Sequence, residues 1–285
     1  MKNLIILILS ATIGACAPLQ SKTSNTSITL GPIASKYEIA GNRLIEAALK
    51  DTSGFERLAE MCDTFGPRFS GTDNLEKAID WILSEMNRDG LSNVHGEAVM
   101  IPKWVRGNES ASMVSPWKKE LHMLGLGGSI GTPPEGITAD VMVVSSFDEL
   151  EERADEAKGK IVLFNVPFTN YGKTVSYRSG GAVAASKAGA VASIIRSVGP
   201  YSMNTPHTGN SRYEEGIRKI PHAAITVEDA AMIGRMVNRG QNVTVNLKME
   251  GRYEEDVPSR NAVAEIRGSE YPEEVVVMGG HIDSW

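Results

Sequence analysis

A chain of 285 residues can form one large domain or two modest ones, and a composition of 41% hydrophobic and 22% charged residues excludes wholesale disorder. A net charge of −6 argues against an electrostatic binder of nucleic acid or anionic membranes. Two cysteines exclude both a disulfide scaffold and a cysteine-rich zinc module.

The one long apolar run lies at the extreme N-terminus. A cation at Lys2, an aliphatic stretch from Leu4 to Leu9 and small residues from Gly14 to Ala17 compose a secretory signal, too short to span a bilayer. Ile13-Gly14-Ala15-Cys16 reads as a bacterial lipobox that would lipidate Cys16, with ordinary cleavage after Ala17 as the alternative. Residues 1–16 are therefore assigned to a signal peptide with a lipobox. Residues 17–35, rich in Ser, Thr and Asn, are assigned to a flexible tether. A single acyl chain holds a membrane only marginally, so firm anchoring needs several.

Three helices follow. Ala40, Leu44, Ala47 and Ala48 form one stripe, ended by the turn Asp51-Thr52-Ser53-Gly54. Phe55, Leu58, Ala59 and Cys62 form a second, stopped by Gly66-Pro67, and Cys62 is expected to be a small buried hydrophobe. Asp73 with Glu76 is the expected capping pair of the most periodic helix, which carries Leu75, Ala78, Ile79, Ile82, Leu83 and Met86. Strands are expected around Val99–Ile101 and Met113–Val114.

From about Lys119 the texture changes to a glycine-crowded loop, then short strands alternating with small helical patches. Strands are predicted at 141–144, 160–164, 191–195 and 223–226. Thr226 is placed to cap a helix over 227–238, with Asp229 three residues on. Val243, Val245, Leu247 and Met249 alternate with polar residues, predicting a half-buried strand. Residues 261–266 predict another strand. Val275-Val276-Val277-Met278 predicts a strand buried on both faces, which needs neighbours that this sequence does not supply. The chain reads as a fragment, with an edge strand as the alternative.

Few residues can carry chemistry. His281-x-Asp283 follows the predicted buried strand, and ligand sites of α/β sheets lie beyond the carboxyl ends of strands. An imidazole ligates zinc, and a carboxylate two residues on can orient the ring or a bound water. Without that placement, an ordinary loop histidine beside an acid would look the same. Catalytic zinc usually takes three protein ligands, yet His95, His122, His207 and His222 are scattered and no His-Glu-x-x-His is present. Gly125-x-Gly127-Gly128-x-x-Gly131 departs from dinucleotide spacing and runs into Pro133-Pro134 rather than a helix, so it reads as a loop. No Gly-x-x-x-x-Gly-Lys-Ser/Thr loop occurs. Tyr177-Arg178 and Pro206-His207-Thr208-Gly209 are polar clusters able to touch a ligand, although solvated turns are the simpler reading.

Ser259 to Ile266 followed by Pro272 to Trp285 resembles the co-catalytic dizinc exopeptidases. Phe65-Gly66-Pro67-Arg68-Phe69-Ser70-Gly71 and Glu76 to Trp81 are similar to that family's N-terminal helical region. Lys158 to Val162, Gly189 to Ala192 and Ile220 to Ile225 are similar to its inserted protease-associated domain. The resemblance runs from about residue 36 to residue 285 and is most specific at the C-terminal end.

It implies an α/β fold in which an incomplete zinc-exopeptidase sheet domain (36–118 and 252–285) is interrupted by an inserted protease-associated α/β domain (119–251). It implies His281 as the first zinc ligand and Asp283 as the acidic catalytic partner that supports it. Tyr177 and Arg178 become candidate substrate contacts. The complete protein would hold two zinc ions and hydrolyse short peptides. It would work outside the cytoplasm, touch membrane only through a lipid anchor, bind no nucleic acid, and could pair as a homodimer. The remaining ligands and the glutamate base would follow Trp285, so this chain is expected to be inactive and poorly stable. Two other readings stand beside it: a catalytically silent relative that binds a partner through the inserted domain, and a periplasmic ligand-binding lipoprotein with two unrelated α/β lobes.

Overall fold

The computed structural model describes residues 31–201 and 204–285. The signal peptide, the lipobox with Cys16 and most of the tether lie outside the described residues. Of the described residues, those up to Glu56 form one compact unit and Arg57–Trp285 form a second.

The first unit holds helix α1 (Pro32–Lys50), whose first turn takes up residues expected in the tether. Proline suits that position because its missing N–H has no helical partner there. Helix α2 (Ser53–Phe65) starts in the first unit and continues into the second. None of its residues is buried, and Cys62 is exposed rather than buried as expected, since the apolar stripe it shares is not covered.

Helix α3 (Asp73–Arg88) buries Leu75, Ala78 and Ile79. Its cap is Thr72, one residue before the expected Asp73: the Thr72 hydroxyl accepts the Leu75 N–H at 3.4 Å. Asp73 is already helical and adds favourable charge to the first turn. The helix packs on an antiparallel pair, β1 (Ser92–Ile101) and β12 (Val257–Glu265). Ser259 Oγ donates to Glu76 at 2.6 Å, and Arg260 pairs with Glu76 and Asp80, tying helix to strand.

The large element is an eight-stranded mixed sheet. Its strands are β3 (Glu109–Ser115), β4 (Lys119–Leu121), β5 (Met123–Gly125), β6 (Ile137–Val144), β7 (Ile161–Phe164), β8 (Ala192–Arg196), β9 (His222–Ile225) and β10 (Thr244–Met249). Their order is β4-β3-β10-β6-β7-β8-β9-β5, with β6 to β9 parallel and the outer pairings antiparallel. A short pair, β2 (Trp104–Val105) with β11 (Arg252–Tyr253), stands beside it. The division expected between residues 118 and 119 falls between β3 and β4, which hydrogen-bond to each other within this sheet.

Alternation along the parallel strands builds two cores. Ile161, Leu163, Ile194, Ala223 and Ile225 meet Ala230, Ile233 and Met236 of α7 (Val227–Asn238) on one face. Val162, Phe164, Ile195 and Ala224 meet α4 (Phe147–Glu152), α5 (Ala154–Ala157) and α6 (Tyr171–Lys187) on the other. Strands covered on both faces are apolar at nearly every position, with buried Ser193 and His222 as the polar exceptions here. Thr226 caps α7 as predicted, its hydroxyl accepting the Asp229 N–H at 3.2 Å, and β10 buries Val245, Leu247 and Met249.

The strand predicted at 275–278 does not form. Val275 to Met278 lie in irregular backbone and are exposed, Val276 by 89%. No strand pairs with this segment among the described residues, and an extended segment without a hydrogen-bonded neighbour has no sheet to join.

Candidate metal centre

The segment after Met278 is ordered by a loop far away in sequence. Helix α2 ends at Gly66, whose N–H bonds to the Cys62 carbonyl and whose φ of +60° turns the chain sharply. Arg68 follows and is only 5% exposed. Its backbone N–H donates to Ser284 Oγ at 3.1 Å, and its carbonyl accepts the Ser284 N–H at 2.9 Å. Its guanidinium turns back, with Nε donating to the Ile282 carbonyl at 3.1 Å and Nη1 to the Gly66 carbonyl at 2.6 Å.

Trp285 completes the docking. Its ring packs on Phe69 at 4.6 Å between centroids, and Phe69 meets Trp104 edge-on at 5.6 Å. Beneath the indole lies Gly127, the middle of the glycine-rich loop. That loop is pinned to 209–211: the Gly127 N–H donates to the Gly209 carbonyl at 2.9 Å, and the Ser211 N–H and hydroxyl both donate to the Gly127 carbonyl.

With Ile282 and Ser284 held by Arg68, His281 and Asp283 come together. His281 Nδ1 lies 2.8 Å from Asp283 Oδ1, and the imidazole side chain is 91% exposed. An Nδ1–H that donates to a carboxylate leaves the Nε2 lone pair free, which is the arrangement zinc-ligating histidines adopt. The pair therefore fits one ligand position of a zinc site together with its supporting carboxylate. No three His, Cys, Asp or Glu side chains converge to hold a metal among the described residues.

The other predicted contacts lie on α6. Tyr177 stacks on Phe147 at 4.4 Å and tilts against Phe164, so its ring serves the core, and burial pushes its phenol up. Arg178 faces the loop at 207–209 instead: Nη1 donates to Tyr171 Oη at 3.0 Å and to the Thr208 carbonyl at 3.3 Å. Its Nε is buried without a hydrogen-bond partner, as is Nδ1 of His207. Burial, reinforced by the Arg178 charge, holds the His207 imidazole below its ordinary range. Arg68, Phe69 and Gly127 were not singled out as site residues by the sequence. Arg68 entered only as part of the stretch Phe65 to Gly71 that is similar to the family's N-terminal helical region.

No family profile matches the chain. Individual relatives do. Mouse (Mus musculus) carboxypeptidase Q is 53% identical over 252 residues, covering 87% of this chain and 54% of that protein. Human (Homo sapiens) carboxypeptidase Q is 56% identical over 231 residues, covering 81% and 49%. The crystal structure of a peptidase M28 precursor from Shewanella amazonensis superposes with a TM-score of 0.81 at 34% identity, covering 88% of this chain and 58% of that one. The chain belongs to the dizinc exopeptidase family.

A zinc aminopeptidase from Bacillus subtilis, at 22% identity and a TM-score of 0.54, covers 76% of this chain and 47% of its own and shares the fold. The chain spans about half the length of the carboxypeptidase Q relatives it matches. The Arg68 loop and the His281 segment are the two pieces that the fold brings together here.

Proposed function

We propose that the full-length protein is a zinc-dependent exopeptidase that hydrolyses short peptides. The observation that carries this reading is the 2.8 Å contact of His281 Nδ1 with Asp283, which leaves Nε2 exposed. In this reading His281 is a metal ligand through Nε2, and Asp283 fixes the ring and its tautomer. Two zinc ions are held when the remaining ligands are in place. Zinc supplies Lewis acidity, lowering the pKa of water and polarising the peptide carbonyl.

The sheet running from Glu109 to Met249 is, on this proposal, the family's inserted protease-associated domain. It walls one side of the cleft and offers Arg178 to the substrate. The unpartnered Nε of Arg178 and its link through Gly209 and Gly127 to the seat of Trp285 support that role. The N-terminal signal supports an extracytoplasmic enzyme lipidated at Cys16, and no described helix is long and apolar enough to cross a membrane.

The test is zinc content and dipeptide hydrolysis by the full-length protein and its His281→Ala variant. Loss of activity with less bound zinc is expected. Unchanged metal content removes His281 from the ligand set and with it the hydrolytic reading.

A further inference from the structure

A buried guanidinium is costly unless its N–H groups are used, and Arg68 makes no ion pair among the described residues. Its side chain is committed to two backbone carbonyls, Gly66 on its own turn and Ile282 between the two site residues. Its main chain grips Ser284 in both directions. A loop 214 residues away thus takes hold of the residue between His281 and Asp283 and of the one after them.

We infer that Arg68 is the positioning residue of the metal centre, acting through the Ile282 peptide to aim His281 and Asp283. The inference rests on the zinc reading above. Rotating the peptide that joins residues 282 and 283 swings Asp283 relative to the imidazole. The charged N–H on the Ile282 oxygen blocks that rotation, since hydrogen bonds from an ionised donor are among the strong ones. Ser284, held by the Arg68 backbone, restrains the chain at the next peptide. Gly279, Gly280 and the exposed run before them make no such contact among the described residues. Among the described residues the pair is therefore held in place by the Arg68 loop.

Arginine is specific in this role. Its fork reaches two carbonyls at once, whereas a lysine ammonium on a flexible stem can satisfy only one of them in good geometry.

The experiment uses the full-length protein and its Arg68→Gln, Arg68→Lys, Ser284→Ala and His281→Ala variants. Zinc affinity is read by chelator competition, and the visible absorption of the cobalt(II)-substituted protein reports ligand geometry. Arg68→Gln is expected to weaken zinc about tenfold and to shift the cobalt bands, the scale of losses seen when partners of a ligand are removed. Arg68→Lys should recover part of that loss. Ser284→Ala, which keeps the guanidinium, should weaken zinc about threefold, the effect of one ordinary hydrogen bond. A lower melting temperature for Arg68→Gln with unchanged zinc affinity and unchanged cobalt bands overturns the inference and leaves Arg68 a structural residue. If Arg68→Gln does not fold, Ser284→Ala decides, and unchanged affinity there counts against us. His281→Ala separates the two levels. If it loses zinc while the Arg68 and Ser284 variants do not, only this inference falls. If it keeps zinc, the metal reading falls and takes this inference with it.

Discussion

The Trp285 indole rests directly on the Cα of Gly127, leaving no room for a side chain between them. Glycine is required here by close approach, because even a methyl group would overlap the ring. The contact joins the end of the His281 segment to the large sheet, and Phe69 joins both to the Arg68 turn. Gly127→Ala should lift the indole off Phe69. Trp285 is 41% exposed and can swing outward, so the expected cost is about 1 kcal/mol, the low end for overpacking. The check is a double-mutant cycle by urea unfolding: the cost should vanish in a Trp285→Ala background, and a cost that persists would place the strain elsewhere.

Stability should fall as pH drops below neutrality. His222 is fully buried on β9, with its ring nitrogens 3.3 Å from the Ser193 carbonyl and 3.1 Å from the Arg178 carbonyl. Burial dominates and lowers its pKa from 6.5 to about 4, although both carbonyls favour the charged form. The folded pKa lies below the unfolded one, so the unfolded chain takes up the proton first. Stability is complete above pH 6.5 and is lost as pH falls towards 4. At pH 5 the loss from His222 is about 2 kcal/mol, and His207 adds to it in the same direction. Urea midpoints between pH 7 and 5 measure this, and a His222→Gln variant should show a flatter profile.

Asp229 ties the start of α7 to the strands beside it. Its carboxylate accepts from Lys119 Nζ at 2.7 Å and from the His122 N–H at 3.1 Å, and it is nearly buried. Asp229→Ala leaves both donors short of an acceptor and should cost about 2 kcal/mol. Lys119→Met should cost under about 1 kcal/mol, because His122 still satisfies the carboxylate and the pair is partly solvated. Equal losses in thermal unfolding would contradict this ordering.

Asp283→Asn tests the imidazole's support in the full-length protein. The amide keeps the shape but lacks the charge that stabilises the ring's donated proton. Zinc affinity should fall about 10-fold to 100-fold, with little change in melting of the metal-free protein. Chelator competition measures it, and unchanged affinity would show that Asp283 does not act on the ring.

Much of the fold was legible locally. The Thr226 cap, the helix it starts, the alternation through Val245, Leu247 and Met249, and the apolar runs of β7 and β8 are written in residues within a turn or two of each other. The contact between His281 and Asp283 is local too, since residues two positions apart meet across a single residue. The Thr72 cap was misplaced by a single residue because Asp73 is also a good first-turn residue.

Contacts between distant parts of the chain were not legible. Val275 to Met278 have the composition of a buried strand, yet a strand exists only where another backbone lies alongside to take its hydrogen bonds, and none does so among the described residues. Cys62 sits on an apolar stripe, but burial needs a covering surface that the stripe cannot itself encode. Residue types and local spacing thus determined the helices, most of the sheet-forming segments and the contact between His281 and Asp283. The tertiary structure alone decided that an arginine in a turn after α2 would grip Ile282 and that a glycine in a loop would seat Trp285. Those contacts depend on where the chain returns in space, which no local pattern of residues specifies.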